Sequence, residues 1–157
     1  MAIIYSTIDV PFPKIKRRKI TNWIKKVIED NSKKAGDISI IFCSDEEILK
    51  LNKQYLNHNY YTDIITFATE VSASPISPIS PLSPASPSSP SFPILSSDLF
   101  ISLETVKTNA KKFNTEYYEE LHRVIIHGIL HLCGYDDKTR KQKKLMREME
   151  DKYLGMI

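Results

Sequence analysis

The chain of 157 residues is long enough for one modest hydrophobic core, and we expect a single domain over residues 1–157. Its formal net charge of +3 excludes a strong general attraction to nucleic acid, so any basic surface must come from the distribution of charge. The two cysteines, Cys43 and Cys133, are far apart, which excludes a disulfide-rich scaffold and favours reduced thiols. The start lacks the basic and long apolar segments of a signal peptide, and no later apolar run is long enough to cross a membrane. We therefore expect a cytoplasmic protein.

Apolar patterning predicts four strands and about five helices. Alternating or β-branched segments predict strands at residues 2–9, 37–43, 62–69 and 98–102. Helical spacing of apolar residues predicts helices at about residues 15–34, 44–55, 103–113, 115–133 and 138–154. Ser44 followed by Glu47 is the signature of a capping box and indicates where the second helix begins.

The first predicted helix combines an apolar stripe with many basic residues. The stripe consists of Ile20, Trp23, Ile24, Val27 and Ile28. The basic run that opens this helix includes Lys16, Arg17, Arg18 and Lys19. These charges are compatible with an ordinary solvated helix face and with a surface that contacts nucleic-acid phosphates.

A proline-rich tract separates the last two predicted strands. Prolines at positions 75, 78, 81, 84, 87, 90 and 93 recur at every third residue and are mostly accompanied by serine. Proline fixes φ and cannot donate a hydrogen bond to a sheet, so this tract cannot join the sheet. We expect a disordered insertion at about residues 71–96, with a polyproline II segment that binds a partner as the alternative.

The segment from His127 to Asp137 has the pattern of a metal site. His127 and His131 are four residues apart, which on a helix places both imidazoles on one face. Gly134 can end this helix because glycine adopts left-handed backbone conformations readily, and Asp136 or Asp137 can then supply a third ligand. Two histidines and a carboxylate with one open position is the ligand set of a catalytic zinc site. Two histidines at this spacing also occur by chance on ordinary helices.

The pattern is similar to the His-Glu-x-x-His signature of zinc proteases, but Gly128 stands where those enzymes need their glutamate. It more closely resembles His-Gly-x-Leu-His-Leu-x-Gly-Tyr-Asp-His, the signature of the YbeY family of metal-dependent endoribonucleases, which are linked to ribosomal RNA maturation. Residues His127 to Asp136 match ten of these eleven positions. The resemblance identifies Asp137 as the metal ligand in place of the family's third histidine, and it gives Asp136 a supporting role.

The resemblance extends over essentially the whole chain outside the proline tract. Leu51-Asn52, Tyr55, Thr62 to Phe67 and Ser97 to Ser102 are similar to the corresponding family segments. Two further departures are Leu56, where the family has an arginine, and Tyr61, where it has a proline. An arginine can stabilise charge on a phosphate, and leucine cannot replace it in that role.

The resemblance implies an α+β fold with a small mixed four-stranded sheet, about five helices and a metal site at the C-terminal helical end. It also implies a zinc-dependent, single-strand-specific endoribonuclease that matures the 3′ end of small-subunit ribosomal RNA and takes part in ribosome quality control. The expected partners are ribosomal RNA and the ribosome, with neither DNA nor a membrane. One Zn²⁺ per chain, or another divalent metal, would be held by His127, His131 and Asp137, and its bound water would be acidified. Lys16, Arg17, Arg18 and Lys19 are the candidate RNA-binding residues.

Two other functions remain open from the sequence. The loss of the family arginine at Leu56 favours a non-catalytic ribosome-assembly factor whose metal is structural. A metal-dependent peptide hydrolase has less support because Gly128 replaces the required glutamate. His58 and His122 are further histidines that we expect to be surface or core residues rather than ligands.

Overall fold

The computed structural model describes residues 2–55, 64–71 and 94–157. Four strands and five helices lie in these ranges, and every predicted element is present with some shift at its ends. In chain order they are β1 (Ile3–Thr7), α1 (Arg17–Asp30), β2 (Lys34–Cys43), α2 (Asp45–Tyr55), β3 (Ile64–Val71), β4 (Ile94–Ser102), α3 (Leu103–Lys112), α4 (Tyr117–Leu132) and α5 (Arg140–Leu154).

The strands form one mixed sheet in the order β1-β2-β4-β3. Strands β1, β2 and β4 are parallel, and β3 pairs antiparallel with β4 at the edge of the sheet. The α+β fold with a mixed four-stranded sheet is therefore confirmed.

Helices cover both faces of this sheet. Alternate residues of β2, such as Ile40 and Phe42, face the main core together with the apolar sides of α1 and α4. On the opposite face, Ile48 of α2 packs with Cys43 and Ile65 in a smaller cluster. Successive side chains of a strand point to opposite faces of the sheet, so the neighbours Phe42 and Cys43 belong to different clusters. The predicted stripe on α1 is buried in the main core, from Ile20 to Ile28.

The predicted end of the first helix at residue 34 is wrong. Helix α1 stops at Asp30 because Ser32 adopts a left-handed conformation, with φ of 58°. The Ser32 N–H donates to Glu29 and the Lys33 N–H donates to Ile28, which together satisfy the last carbonyls of the helix. Lys34 already belongs to β2.

Strand β4 begins four residues earlier than the sequence predicted. Ile94 pairs with Val71 of β3 on one side and with Lys34 of β2 on the other, so both neighbours extend the strand. Residues 72–93, which contain the proline tract, lie outside the described residues, and the disordered insertion stays a prediction. Leu56, His58 and Tyr61 also lie outside the described residues.

Candidate metal centre

Helix α4 places its two histidines beside a region of very close helix–sheet packing. A β-carbon on Gly128 would lie 2.6 Å from Cδ1 of Ile64 and 2.8 Å from Cδ2 of Leu99. A side chain at residue 128 would therefore require the ends of the Ile64 and Leu99 side chains to move. Gly128 therefore faces the sheet, and the position of the protease glutamate is occupied by core packing.

A tight turn after α4 directs the chain back towards these histidines. Gly134 has φ of 104°, and its N–H donates to the His131 carbonyl at 3.0 Å. The N–H of Tyr135 donates to the Leu130 carbonyl at 3.0 Å, which completes a Schellman motif. The Tyr135 hydroxyl donates to Asn31 at 2.8 Å and so fixes the loop against the end of α1. The predicted role of Gly134 as a helix stop is confirmed.

The turn brings Asp137 to the two imidazoles. The Nε2 atoms of His127 and His131 are 3.0 Å apart, and Oδ2 of Asp137 lies 3.4 Å and 3.5 Å from them, respectively. The potential ligand atoms of the three residues all lie within 4.8 Å of one another, so this cluster could hold a metal ion. Asp136 is exposed and lies outside the cluster, and its supporting role stays a prediction.

The sequence reasoning missed Glu150, which orients His127 from the other side of the ring. Oε2 of Glu150 lies 2.7 Å from Nδ1 of His127, so a proton on Nδ1 would be donated to the carboxylate. This arrangement leaves Nε2, the nitrogen that faces Asp137, with its lone pair available. Glu150 is only 6% exposed and shares the buried side of α5 with Met146 and Tyr153. The sequence did contain a signal for Glu150, because it is a charged residue within an apolar stripe and a buried carboxylate needs a partner.

Arg123 completes this chain of contacts. Its Nη1 donates to Glu150 and its Nη2 donates to Asp151, both at 2.9 Å. Burial works to lower the pKa of Arg123, but the hydrogen bonds and charges of these two carboxylates outweigh it and raise the pKa above its ordinary value. The guanidinium is thus a permanent positive charge that holds the Glu150 carboxylate between α4 and α5.

The four predicted RNA-binding residues lie elsewhere, at the beginning of α1. Lys16, Arg17, Arg18 and Lys19 are all exposed, and Arg17 lies 4.8 Å over the ring of Phe12. Lys16 and Lys19 line a cavity of about 260 Å³. The structure therefore gathers part of the basic run around a cavity, but not at the histidine cluster.

His122 is one wall of that same cavity. Burial and the nearby charge of Lys19 lower the pKa of His122, and its ring makes an edge contact with Trp23 at 5.9 Å. It lies outside the metal cluster, in keeping with the expectation that it is not a ligand.

Cys133 follows α4 but lies outside the cluster as well. Its side chain packs against the main core. Burial raises the pKa of Cys133 to about 11, so the thiol stays protonated at neutral pH.

Comparison with known proteins identifies relatives over the full length of the chain. A family model described as "Endoribonuclease YbeY" matches residues 8–157. Proteins named endoribonuclease YbeY from Bacteroides fragilis and Parabacteroides distasonis are 50% and 49% identical, over 99% and 100% of this chain and 98% and 96% of their own. The solution structure of TM1509 from Thermotoga maritima is similar with a TM-score of 0.57 and 25% identity, over 98% of this chain and 87% of that one.

Helices of membrane-spanning length and hydropathy are absent from the described part of the chain.

Proposed function

Since the chain belongs to the YbeY endoribonuclease family, we propose that it is a metal-dependent enzyme that cleaves single-stranded RNA during ribosomal RNA maturation. The observation that carries this proposal is the convergence of His127, His131 and Asp137. The proposed substrate is the 3′ end of small-subunit ribosomal RNA, and the proposed setting is ribosome quality control in the cytoplasm.

The three side chains fit one Zn²⁺ per chain. Two imidazole nitrogens and one carboxylate oxygen are a donor set that zinc accepts in catalytic sites. Within the described residues the cluster has three members, which favours a position left open for substrate over a closed structural site. We propose another divalent metal as the alternative occupant of this site, because the Asp137 carboxylate is a harder ligand than the histidine it replaces. A bound ion would supply Lewis acidity at the scissile phosphate.

The protein's own residues hold His127 and Asp137 in place for this role. The Glu150 carboxylate fixes the ring of His127 through Nδ1, and Arg123 fixes the carboxylate in turn. The Schellman motif at Gly134 and the contact of Tyr135 with Asn31 hold the loop that carries Asp137. A site whose ligands are held before the substrate arrives loses less free energy to reorganisation during the reaction.

The exposed basic residues at the beginning of α1 are proposed RNA contacts. Four formal positive charges lie on the N-cap and the first turn of α1, at Lys16, Arg17, Arg18 and Lys19. Lysine and arginine at such a surface bind phosphates without reading the sequence, which suits the capture of single-stranded RNA.

The second candidate function is a non-catalytic ribosome-assembly factor with a structural metal. The replacement of the family arginine by Leu56 favours it, since the position contributes no charge to a phosphate. The assembly factor and the endoribonuclease differ in one measurable property. A structural site would bind metal without supporting RNA cleavage.

The test is cleavage of a single-stranded RNA and of the matching duplex by the zinc-loaded protein. His131→Ala, purified in parallel, controls for contaminating nuclease, and Glu148→Ala is the matched acidic variant, exposed and outside the cluster. We expect cleavage of the single strand by the parent and by Glu148→Ala, and at least a 100-fold loss in His131→Ala, since one metal ligand is removed. Equal cleavage by the parent and His131→Ala would contradict the proposal of a metal-dependent endoribonuclease. Metal binding without cleavage would favour the assembly factor.

A further inference from the structure

A second cavity lies beside the metal cluster, between the end of α3, the first half of α4, and α5. Its volume is about 420 Å³, and His127 and Glu150 form part of its wall. Cavities of about 300–1,000 Å³ are the size that holds small organic groups. This flanking cavity is therefore large enough for a nucleobase and shares a wall with the metal cluster.

The flanking cavity and the metal cluster lie along the same face of α4. Glu120 and Val124 line the cavity, His127 borders both features, and His131 belongs to the cluster. These residues are spaced by four, three and four positions, which places them on one side of a helix. Only about 10 Å of helix separates Glu120 from His127. A strand whose phosphate lies at the cluster can thus place an adjacent base in the cavity.

Among the described residues, two polar groups on the α3 side of the cavity have no hydrogen-bond partner. They are the buried Oγ1 atom of Thr115 and the side-chain amide of Asn109. Asn109 offers both a donor and an acceptor on one amide. Phe113 also lines the cavity, with its side chain 57% exposed. An aromatic ring beside amide and hydroxyl groups is how proteins bind the unstacked bases of single-stranded RNA.

The guanidinium of Arg123 is already engaged in the wall of the cavity. Its two terminal nitrogens donate to Glu150 and Asp151. The exposed cations are Arg147, which also lines the cavity, and Lys112, whose Nζ lies 5.5 Å from the Phe113 ring. We expect a nucleotide to bind with its base against Phe113 and its phosphate beside these two exposed cations.

The α3 side of the cavity is preorganised. Asn114 has φ of 55°, and its N–H donates to the Lys111 carbonyl. The N–H of Thr115 donates to the Ala110 carbonyl at 2.9 Å, which completes a Schellman motif. Phe113 and Thr115 are thus held in place without a bound ligand, which reduces the entropy lost on binding.

We propose that the flanking cavity binds the base of a nucleotide next to the scissile phosphate and prefers adenine. The preference follows from Asn109, because asparagine pairs in a bidentate manner with the amino group and ring nitrogen of adenine. Phe113 stacks on the base, and Thr115 supplies a further hydrogen bond. This inference rests on the proposed function and assigns a subsite for sequence preference to the same enzyme.

Binding of short RNAs in EDTA tests the subsite without cleavage. The probes are fluorescently labelled hexauridylate and six variants, each with one adenosine at a different position, measured by anisotropy with the full chain. One adenosine position should increase affinity about 10-fold, as expected for one good bidentate contact. Uniform affinity for all seven probes would overturn the proposal.

Two variants and a control assign the effect to the cavity. Asn109→Ala should remove the adenosine preference, and Phe113→Ala should weaken binding of the preferred probe about 10-fold through loss of stacking. Leu145→Ala is the matched control, because Leu145 is an exposed large apolar residue that lines neither this cavity nor the one beside Lys16 and Lys19. Retention of the full preference in both Asn109→Ala and Phe113→Ala would contradict the assignment. Phe113 is exposed, so its variant remains informative if Asn109→Ala fails to fold.

Cleavage of the same probes by the zinc-loaded protein separates this inference from the proposed function. Cleavage without any base preference would refute the subsite and leave the endoribonuclease intact. The absence of both binding and cleavage would refute the two together. A preference that appears in binding and in KM but vanishes in Asn109→Ala is the result we expect.

Discussion

The carboxylate of Glu150 lies 2.7 Å from Nδ1 of His127, on the opposite side of the imidazole from the nitrogen that faces Asp137. Although 23 residues separate the two in sequence, the packing of α5 against α4 joins them. A carboxylate in this position holds the ring in the orientation and tautomer that a metal requires.

Replacing this carboxylate should therefore weaken metal binding. Glu150→Gln keeps the shape of the side chain but removes its charge, so the hydrogen bond to His127 loses its strong acceptor. We expect the affinity for Zn²⁺ to fall by about 10- to 100-fold, as is typical when the partner of a metal-binding histidine is lost. Competition with a chromophoric chelator measures this affinity directly.

Asp151 provides the matched control, because it binds the same arginine from an exposed position. Its side chain is 59% exposed, against 8% for Glu150, and it does not contact His127. Asp151→Asn should leave zinc affinity within about 2-fold of the parent, since exposed ion pairs contribute little. If both substitutions lowered the affinity equally, Arg123 rather than Glu150 would control the site.

The assignment of Asp137 as the third ligand predicts a difference between two adjacent aspartates. Asp137→Ala should lose bound zinc, because only two of the three clustered donors would remain. Asp136→Ala should retain about one zinc per chain, since Asp136 is exposed and outside the cluster. Elemental analysis after gel filtration measures both.

A third variant strengthens this comparison. Asp137→His restores a neutral nitrogen donor at the same position and should recover zinc binding that Asp137→Ala has lost. Equal metal content in Asp137→Ala and Asp136→Ala would place the third ligand elsewhere in the chain.

The metal cluster could be predicted from the sequence because its parts are local. One helical repeat sets the spacing of His127 and His131, and one left-handed glycine, Gly134, sets the turn that returns Asp137 to them. Eleven consecutive residues contain the whole pattern. The Glu150 contact depends instead on how two helices pack, and the flanking cavity depends on three, so neither follows from local periodicity.

The fold was predictable to a similar extent. Strand and helix positions followed from apolar spacing, but the order β1-β2-β4-β3 depends on crossover connections that spacing does not define. The end of α1 was misplaced because Lys33 and Lys34 are good helix formers, whereas the left-handed Ser32 stops the helix before them. Tertiary pairing of Lys34 and Ala35 in β2 outweighed local propensity there.

The basic residues of α1 should contribute to RNA affinity through charge alone. Lys16→Glu with Lys19→Glu should weaken binding to single-stranded RNA, and the slope of log affinity against log salt should become shallower by about 1 for each lost phosphate contact. Anisotropy titrations over a range of salt concentrations in EDTA measure both quantities. The substitutions are safe for folding because acidic side chains near a helix N-terminus are favourable.

Lys25→Glu with Lys26→Glu is the control for this pair. It makes the same change in net charge on the same helix, but neither residue lines the cavity formed by Lys16 and Lys19. A smaller effect of this control is expected. If the two double variants weakened binding equally, net charge rather than the position of the lysines would explain the result.

Cys43 should be unreactive in the folded protein over a wide pH range. Burial, followed by the charges of Glu47 and Asp45, raises the pKa of Cys43 from about 9 to about 12. Below pH 9 the folded protein therefore has about 1,000-fold less thiolate at this position than the unfolded chain, and thiolate is the form that is alkylated. Iodoacetamide at pH 8.5 followed by peptide mass spectrometry should modify Cys43 only after addition of denaturant.

The raised pKa of Cys43 also predicts that the folded protein loses stability at high pH. The protonated thiol is the form that the fold favours, so its contribution is fully present below about pH 9 and is lost as the pH rises towards 12. The free energy of unfolding should decrease less steeply over this range in Cys43→Ala than in the parent. Rapid alkylation of Cys43 in the native protein at pH 8.5 would contradict the buried environment.

Gly128 should tolerate substitution poorly because α4 approaches the sheet at this residue. The added methyl group of Gly128→Ala would lie 2.6 Å and 2.8 Å from Ile64 and Leu99, and overpacking of this kind costs about 1–3 kcal/mol. The higher helix propensity of alanine offsets about 1 kcal/mol of that cost. We expect a net loss of about 1 kcal/mol, measured by thermal and urea unfolding.

Gly155→Ala is the matched control for this substitution. Gly155 has φ of −68°, and the nearest atoms to an added methyl group are carbonyl oxygens at 3.5 Å and 3.7 Å, which is ordinary contact. Its stability should stay within about 0.5 kcal/mol of the parent. A shift of α4 large enough to relieve the clash at residue 128 would also move His127, so Gly128→Ala should lower zinc affinity while Gly155→Ala does not. Unchanged stability and unchanged zinc affinity in Gly128→Ala would show that Ile64 and Leu99 can adjust without moving the helix.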